Sequence, residues 1–453
     1  MRDKPSYRDL TIMASLNHKA RMAVLTVVAT LLVGVTGCET LSDPLKVEPA
    51  SRIPAAQLEV PANAQILSDG AVGDFECAFR TYTAMSGLIG EEFIYTAQTL
   101  SRSPYDRRAM TKDDSDYGVN SCTGGTNAAY GVYTPLQTAR RSNENLLAFL
   151  KTWTDADVAA GPGSPNRTNL MAIAAAYAGY ATVLLGEGFC TMALSSVGID
   201  KSISYSGEVQ RDSVFKYAIA HFTEAIAFAT ATGNTSIRNM ALLGRARAKL
   251  NIGDYVGARA DAALIPSGYV RNVSASDVTT RRQNQITLDN SANNRATSVG
   301  EPYRSMDDAR VPVVATDLIS ATGILHFYQT KYPTTGTPIP LATYEEAQLI
   351  IAETDIRSGD LPNALLILND SRTRGGQATP FVGVTEADYL AELVDQRRRE
   401  LFAESHHLAD IIRYSIAVQP PAGTQSHFGG AYGSQICMPL PAVERQGNPL
   451  VAL

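Results

Sequence analysis

The 453-residue sequence has a single Trp and six His. It contains no G-x-S-x-G, no H-E-x-x-H and no G-x-x-x-x-G-K stretch. Those absences remove the nucleophile elbow, the zinc-peptidase helix and the phosphate loop as routes to catalysis. Nor is positive charge in excess: 39 basic against 45 acidic residues leave a formal net charge of −6. A chain of that sign has no bulk electrostatic reason to bind nucleic acid. Its five cysteines are widely spaced with no C-x-x-C pair, which argues against a zinc site. Strand-like alternation is sparse. No cofactor is expected.

What is present begins near the N-terminus with "RMAVLTVVATLLVGVTGCET", residues 21 to 40. The uncharged run from Ala23 to Gly37 follows Lys19 and Arg21. It is shorter than the ~20 residues that cross a bilayer, but it suits the apolar segment of a secretory signal. Val35, Thr36, Gly37 and Cys38 resemble the bacterial lipobox, in which small residues admit the peptidase and the cysteine takes a diacylglycerol. Residues 1–37 are therefore expected to be a signal peptide, with Met1 or Met13 as its start, and Cys38 to be the lipidated residue. Removing 1–37 takes away Arg2, Lys4, Arg8, Lys19 and Arg21 against Asp3 and Asp9, so the net charge becomes −9. Residues 38–70 are rich in Pro, Ala and acidic residues without an apolar face, and they read as a tether. No further segment looks long and apolar enough to span a bilayer.

With Cys38 committed to lipid, Cys77, Cys122, Cys190 and Cys437 remain, an even number in a compartment that permits disulfides. Three pairings are open, and four buried free thiols are the alternative.

Residues 71–453 are expected to form a single, mainly α domain. Apolar residues recur at helical spacing over 74–90, 126–151, 168–187, 211–230, 236–252, 255–265, 343–357, 361–374 and 386–414. The stretches 241–265 and 343–374 look alike: an Ala-rich helix, a Gly-Asp turn and a second amphipathic helix. Gly253 and Gly359 suit the left-handed end of the first helix, and Asp254 and Asp360 suit the cap of the second. Stretch 168–230 supplies a third pair. This is a tetratricopeptide-like arrangement, which stacks into a scaffold and presents binding surface. The polar stretch 271–310, poor in large aliphatics, cannot build a core by itself and marks a loop-rich insertion, 271–335, with short strands.

Candidate chemistry is thin. In "DQRRRELFAESHHLADIIRY", 395–414, a continuous helix would bring Glu404, His406, His407 and Asp410 together, yet the neighbouring arginines oppose a cation, so a network of Arg and carboxylate pairs is expected instead of a metal. "CTGGTNAAYG", 122–131, reads as a loop opening onto a helix capped by Thr126 or Asn127. Asp113 and Asp114 are the carboxylates a hydrolase reading would use. Tyr95, Tyr105, Tyr117 and Tyr303 lie in polar surroundings, where exposed rings would stack on sugars, and are the candidate ligand contacts.

Five segments, in this order, resemble the SusD/RagB-like outer-membrane lipoproteins: "AAYAGYATVLLGEGF" (175–189), "RARAKLNIGDYVGARADA" (245–262), "YEEAQLIIAETDIRSGDLPNALLILNDSRTRGG" (344–376), "RRRELFAESHH" (397–407) and "MPLPAVERQGNP" (438–449). The chain departs from the family pattern at Cys190, Gln396, Ser405, His407 and Leu408, as a divergent member would. The resemblance implies a non-catalytic lipoprotein on the extracellular face of a bacterial outer membrane. It implies capture of a nutrient, commonly a glycan, for a SusC-like TonB-dependent transporter. The alternative is a helical-repeat scaffold lipoprotein that binds other envelope proteins.

Overall fold

The computed structural model describes residues 55–114, 118 and 131–452. The chain divides into two compact units after Leu58. In the first, Ala55–Leu58 forms one helical turn; all that follows concerns the second.

Its scaffold is a succession of packed helices: α1 (Ala64–Ile89), α2 (Tyr133–Thr152), α3 (Arg167–Gly188), α4 (Arg211–Thr232), α5 (Thr235–Asn251) and α6 (Tyr255–Ala262). After an insertion carrying α7 (Gln285–Asn290) come α8 (Tyr344–Ser358), α9 (Leu361–Arg374), α10 (Glu386–Glu400) and α11 (His407–Tyr414). The fold is mainly α, and the three expected pairs are α3–α4, α5–α6 and α8–α9. Their punctuation is local. Gly253 and Gly359 have φ of 76° and 84°, which a Cβ would oppose. The Asp254 carboxylate accepts from Gly257 N at 2.9 Å and Asp360 from Asn363 N at 3.4 Å, satisfying amides at the start of each second helix.

At the centre lies α3. Among the described helices it is the one long and apolar enough to cross a membrane, with a mean hydropathy of 1.4, but 89% of its apolar window is buried within the protein. The expectation that no further segment would pass that test is corrected: a core helix covered on all sides looks the same in composition. Glycines let its neighbours close in. A Cβ on Gly179 would meet the Phe222 ring at 2.6 Å, one on Gly186 the Phe215 ring at 2.8 Å, and one on Gly244 of α5 would meet Phe222 again at 2.4 Å.

Three features differ from the sequence reading. Helix α1 starts at Ala64, inside the 38–70 stretch read as tether. Its first turns bury only Ala64, Ser68 and Ala71, and Asn143 of α2 donates to the Ala71 carbonyl at 3.0 Å, so a face of small residues packs without an apolar stripe to announce it. Stretch 386–414 is two helices. The chain breaks at 401–406, where Ala403 and Ser405 have φ of 59° and 69°. The break is held from outside: Ala403 N donates to Glu92 Oε1 at 2.8 Å, and Lys331 Nζ donates to the Phe402 carbonyl at 2.8 Å. The polar insertion does contribute to the core. Ile286, Val299, Tyr303, Val311 and Tyr332 are buried, and so are Asn284, Asp289 and Asn290. Asn290 Nδ2 donates to the carbonyls of Thr297 and Phe327, both at 3.0 Å, while its Oδ1 accepts from Gln329 N at 2.8 Å.

Strands are short and pair two by two: β1 (Phe93–Tyr95) with β7 (Thr297–Val299), β2 (Thr191–Ala193) with β5 (Glu208–Gln210), β3 (Ser196–Val197) with β4 (Ile203–Ser204), β6 (Val270–Val273) with β10 (Ile339–Thr343), and β8 (Val313–Ile319) with β9 (Leu325–Gln329). All five ladders are antiparallel.

A candidate ligand cleft along helix α2

Helix α2 turns Leu136, Ala139, Asn143, Leu146, Leu147 and Leu150 inward. The positions between them, Thr134, Gln137, Thr138, Arg141, Ser142 and Asn145, return every three or four residues to the opposite face. Together with Tyr133, Val443 and Glu444 they line an open cleft of about 460 Å³. Its second wall comes from the helical turn Ala442–Gly447, far away in sequence. That turn is fastened on several sides. A disulfide joins Cys437 to Cys190 just beyond α3. Met438 N donates to the Gly188 carbonyl at 2.8 Å, and Cys190 N donates to the Met438 carbonyl at 2.9 Å. Asn448 Nδ2 donates to the Ser206 carbonyl at 2.8 Å.

The polar groups of the cleft are held in place. The Tyr133 hydroxyl donates to Glu444 Oε2 at 2.8 Å, and Asn448 Nδ2 donates to Glu444 Oε1 at 2.9 Å. Gln137 Nε2 donates to the Ala193 carbonyl at 2.9 Å, while its Oε1 accepts from Arg140 Nε at 2.9 Å. The Arg141 guanidinium pairs with Glu144 and donates to Asn145 Oδ1 at 2.7 Å and to the Val197 carbonyl at 2.8 Å. Behind it the Glu144 carboxylate, although desolvated, is pulled down to about 2 by the His221 hydrogen bond and by Arg140 and Arg141. Tyr217, 39% exposed, sets its ring edge-on to His221 at 4.9 Å. A groove of fixed hydroxyl, amide and carboxylate groups suits a polyol, whose hydroxyls both donate and accept.

The residues singled out from the sequence lie elsewhere. Tyr95, Tyr105 and Tyr303 are each at most 1% exposed, so none offers a ring face to a ligand. Tyr95 stacks on Phe428 and Tyr303 on Phe402. Arg102 lies over the Tyr95 ring and Arg398 over that of Tyr303. Tyr117, Cys38, Cys122 and the Thr126 and Asn127 caps fall outside the described residues. Cys77 is disulfide-bonded. Asp114 caps a turn through Thr111 Oγ1 at 3.1 Å, and Asp113 faces Lys112 at 3.8 Å; neither lines the cleft. Glu404, His406, His407 and Asp410 diverge because the helix breaks between them. Glu404 pairs with Lys331 at 2.7 Å, His406 meets Arg247 at 3.2 Å, His407 faces Glu91 at 3.6 Å, and Asp410 takes Arg397 at 2.8 Å.

A second opening, of about 390 Å³, is lined by Arg310, Lys331, Glu345, Glu400 and Glu404. Its cations are already spent within the wall: Arg310 on Asp308 at 2.7 Å and Glu400 at 2.9 Å, Lys331 on Glu404.

Residues 324–436 match the model of the SusD family. The chain is SusD/RagB-like. The SusD-like fold extends well beyond the matched segment. A SusD superfamily protein from Bacteroides thetaiotaomicron superposes with a TM-score of 0.67 at 16% identity, over 87% of this chain and 99% of that one. One from Bacteroides fragilis gives 0.64 at 14% identity over 87% and 99%. Surface glycan-binding protein A from Bacteroides uniformis gives 0.60 at 12% identity over 86% and 98%. No curated protein matches the sequence. The segment matched to the SusD family holds α8 to α11 and their buried Arg and carboxylate pairs, whereas Gln137, Arg141, Asn145 and Glu444 all lie outside it. Cys190, one of the SusD-like chain's departures from the family pattern, is accounted for by its bond to Cys437.

One buried acid of this SusD-like core makes a pH prediction. Burial pushes the Glu92 carboxyl up to about 7 from an ordinary 4.5, against the opposing pull of His407 and the Ala403 N–H. A folded pKa raised above the unfolded one contributes stability that is present below pH 4.5 and lost as pH rises through 7. Glu92→Gln keeps an oxygen for Ala403 and removes the charge, so urea midpoints measured across pH 4.5 to 7 should fall less steeply than in the wild type. An unchanged slope would show that Glu92 is not buried as described.

Proposed function

We propose that the chain is a non-catalytic surface lipoprotein that captures a glycan in the α2 cleft and passes it to a TonB-dependent outer-membrane transporter. The observation that carries the reading is the cleft itself, open, of ligand size and walled by hydroxyl, amide and carboxylate groups. Support also comes from structural relatives of the same fold described as a putative sugar binding protein and a SusD-like carbohydrate binding protein from Bacteroides vulgatus. The lipobox-like Val35–Cys38 stretch supports acylation of Cys38, which would hold the tether and domain on the extracellular face of the outer membrane.

Calorimetric titration with an oligosaccharide panel tests capture. Thr138→Ala and Asn145→Ala each remove one polar wall group, at about 1 kcal/mol for a hydrogen bond, so each should weaken binding about fivefold. Binding of the same glycan unaffected by both changes would move the site elsewhere. Pull-down from outer membranes tests the partner: a TonB-dependent barrel supports delivery, and envelope assembly proteins without a barrel support the scaffold reading instead.

A further inference from the structure

We propose that Glu444 sets the charge class of the captured glycan, admitting neutral, hydroxyl-rich oligosaccharides and turning away uronate-bearing ones. The inference rests on the capture reading and refines its substrate. Three observations carry it.

The first is the balance of charge on the walls. Two lining residues carry formal charge, Arg141 and Glu444. The Arg141 guanidinium shares Glu144 with Arg140 and donates through its other terminal nitrogen to Asn145 and the Val197 carbonyl, so both terminal nitrogens are spent within the wall. Arg445, next to Glu444 on the same turn, is directed away, to the carbonyls of Leu440 at 3.1 Å and Ala452 at 2.7 Å and toward Glu208 at 3.8 Å. Among the described residues no cation pairs with the Glu444 carboxylate; its side-chain partners Tyr133 and Asn448 are neutral. It is the charged group of the cleft lining that has no ion-pair partner among the described residues.

The second is pre-organisation. Each Glu444 oxygen receives one hydrogen bond from protein, from Tyr133 on one side and Asn448 on the other. A carboxylate has about four lone-pair sites, so each oxygen keeps room for another donor. Two adjacent sugar hydroxyls can fill both, and the carboxylate does not have to reorient to accept them. A uronate presents an acceptor of the same sign where a donor is required, and like-charge juxtaposition rejects it.

The third is rigidity. The turn bearing Glu444 is tied to the scaffold by the Cys190–Cys437 disulfide, by the Met438 pairing with Gly188 and Cys190, and by Ala442 N donating to the Lys112 carbonyl at 2.8 Å. The backbone under Glu444 is therefore fixed, and swinging its carboxylate out to relieve repulsion would break the bonds to Tyr133 and Asn448.

The test compares the full chain and Glu444→Gln in calorimetric titrations with neutral gluco-, manno- and xylo-oligosaccharides and with oligogalacturonate. Wild type is expected to bind its preferred neutral oligosaccharide at least about tenfold more tightly than oligogalacturonate. Glu444→Gln should shrink that ratio severalfold, mostly through a gain for the acid. Raising the salt concentration should shrink the wild-type ratio, because screening weakens repulsion, and leave that of Glu444→Gln unchanged, which a merely structural role would not produce. Tyr133→Phe, which removes one clamp and no charge, should keep the discrimination. A wild-type preference for oligogalacturonate, or a ratio that Glu444→Gln leaves untouched while neutral sugars still bind, overturns the role of Glu444 and spares the capture reading. Binding of neither class overturns both.

Discussion

Replacing Arg247 by alanine is expected to cost about 3–5 kcal/mol of folding free energy, the range for stripping one partner from a buried ion pair. Arg247 of α5 is 4% exposed. Its Nε and Nη2 donate to the two carboxylate oxygens of Glu187 on α3 at 2.8 and 2.6 Å. Its Nη1 meets His406, in the break before α11, at 3.2 Å and lies 4.0 Å from Glu346 of α8. One guanidinium thus joins four elements far apart in sequence. Without it Glu187, 1% exposed, becomes an unpaired buried carboxylate. Lysine should restore only part of the loss, since a single ammonium cannot reproduce the planar fork. Pairing Arg247→Met with Glu187→Leu should recover more than lysine does, because it removes both charges together. Urea unfolding of the four proteins measures this, and a loss below about 1 kcal/mol for the alanine variant would mean that the hub is wet.

The second large effect is expected from the Cys190→Ser, Cys437→Ser double variant. A disulfide stabilises mainly by restricting the unfolded chain, typically by about 2–4 kcal/mol, and this one closes a separation of 247 residues. Folding should survive, because the backbone bonds among Gly188, Cys190 and Met438 remain. The consequence specific to this protein is at the cleft: loosening the segment that delivers Glu444 should lower glycan affinity as well as stability. Unfolding and titration of the same preparation check both, and an unchanged affinity would show that the terminal turn is positioned without the bond.

The helical turns are where the sequence was readable. Gly253 with Asp254 and Gly359 with Asp360 act within a few residues of themselves, so a glycine and a capping acid announce the turns and, through them, the helical pairs. The late Arg-rich helix was only partly readable. Its ion-pair character follows from composition, but the break at 401–406 depends on Glu92 and Lys331, which no local pattern links to it. Aromatic chemistry misled for a related reason. Tyr95 and Tyr303 have polar sequence neighbours, yet both rings are buried, with Arg102 and Arg398 lying over them. The cleft was invisible because Thr138, Arg141 and Asn145 look like any solvated helix face until Glu444, some three hundred residues later, closes the other side.

The central claim, capture without chemistry, is tested most directly by recovering the ligand. The full chain is incubated with the neutral oligosaccharide it binds most tightly, the complex is isolated, and the released sugar is sized by mass spectrometry. The account predicts an oligosaccharide of unchanged length, bound in the wild type and weakened in Asn145→Ala. Shortened products, or no sugar retained from any member of the panel, would contradict it.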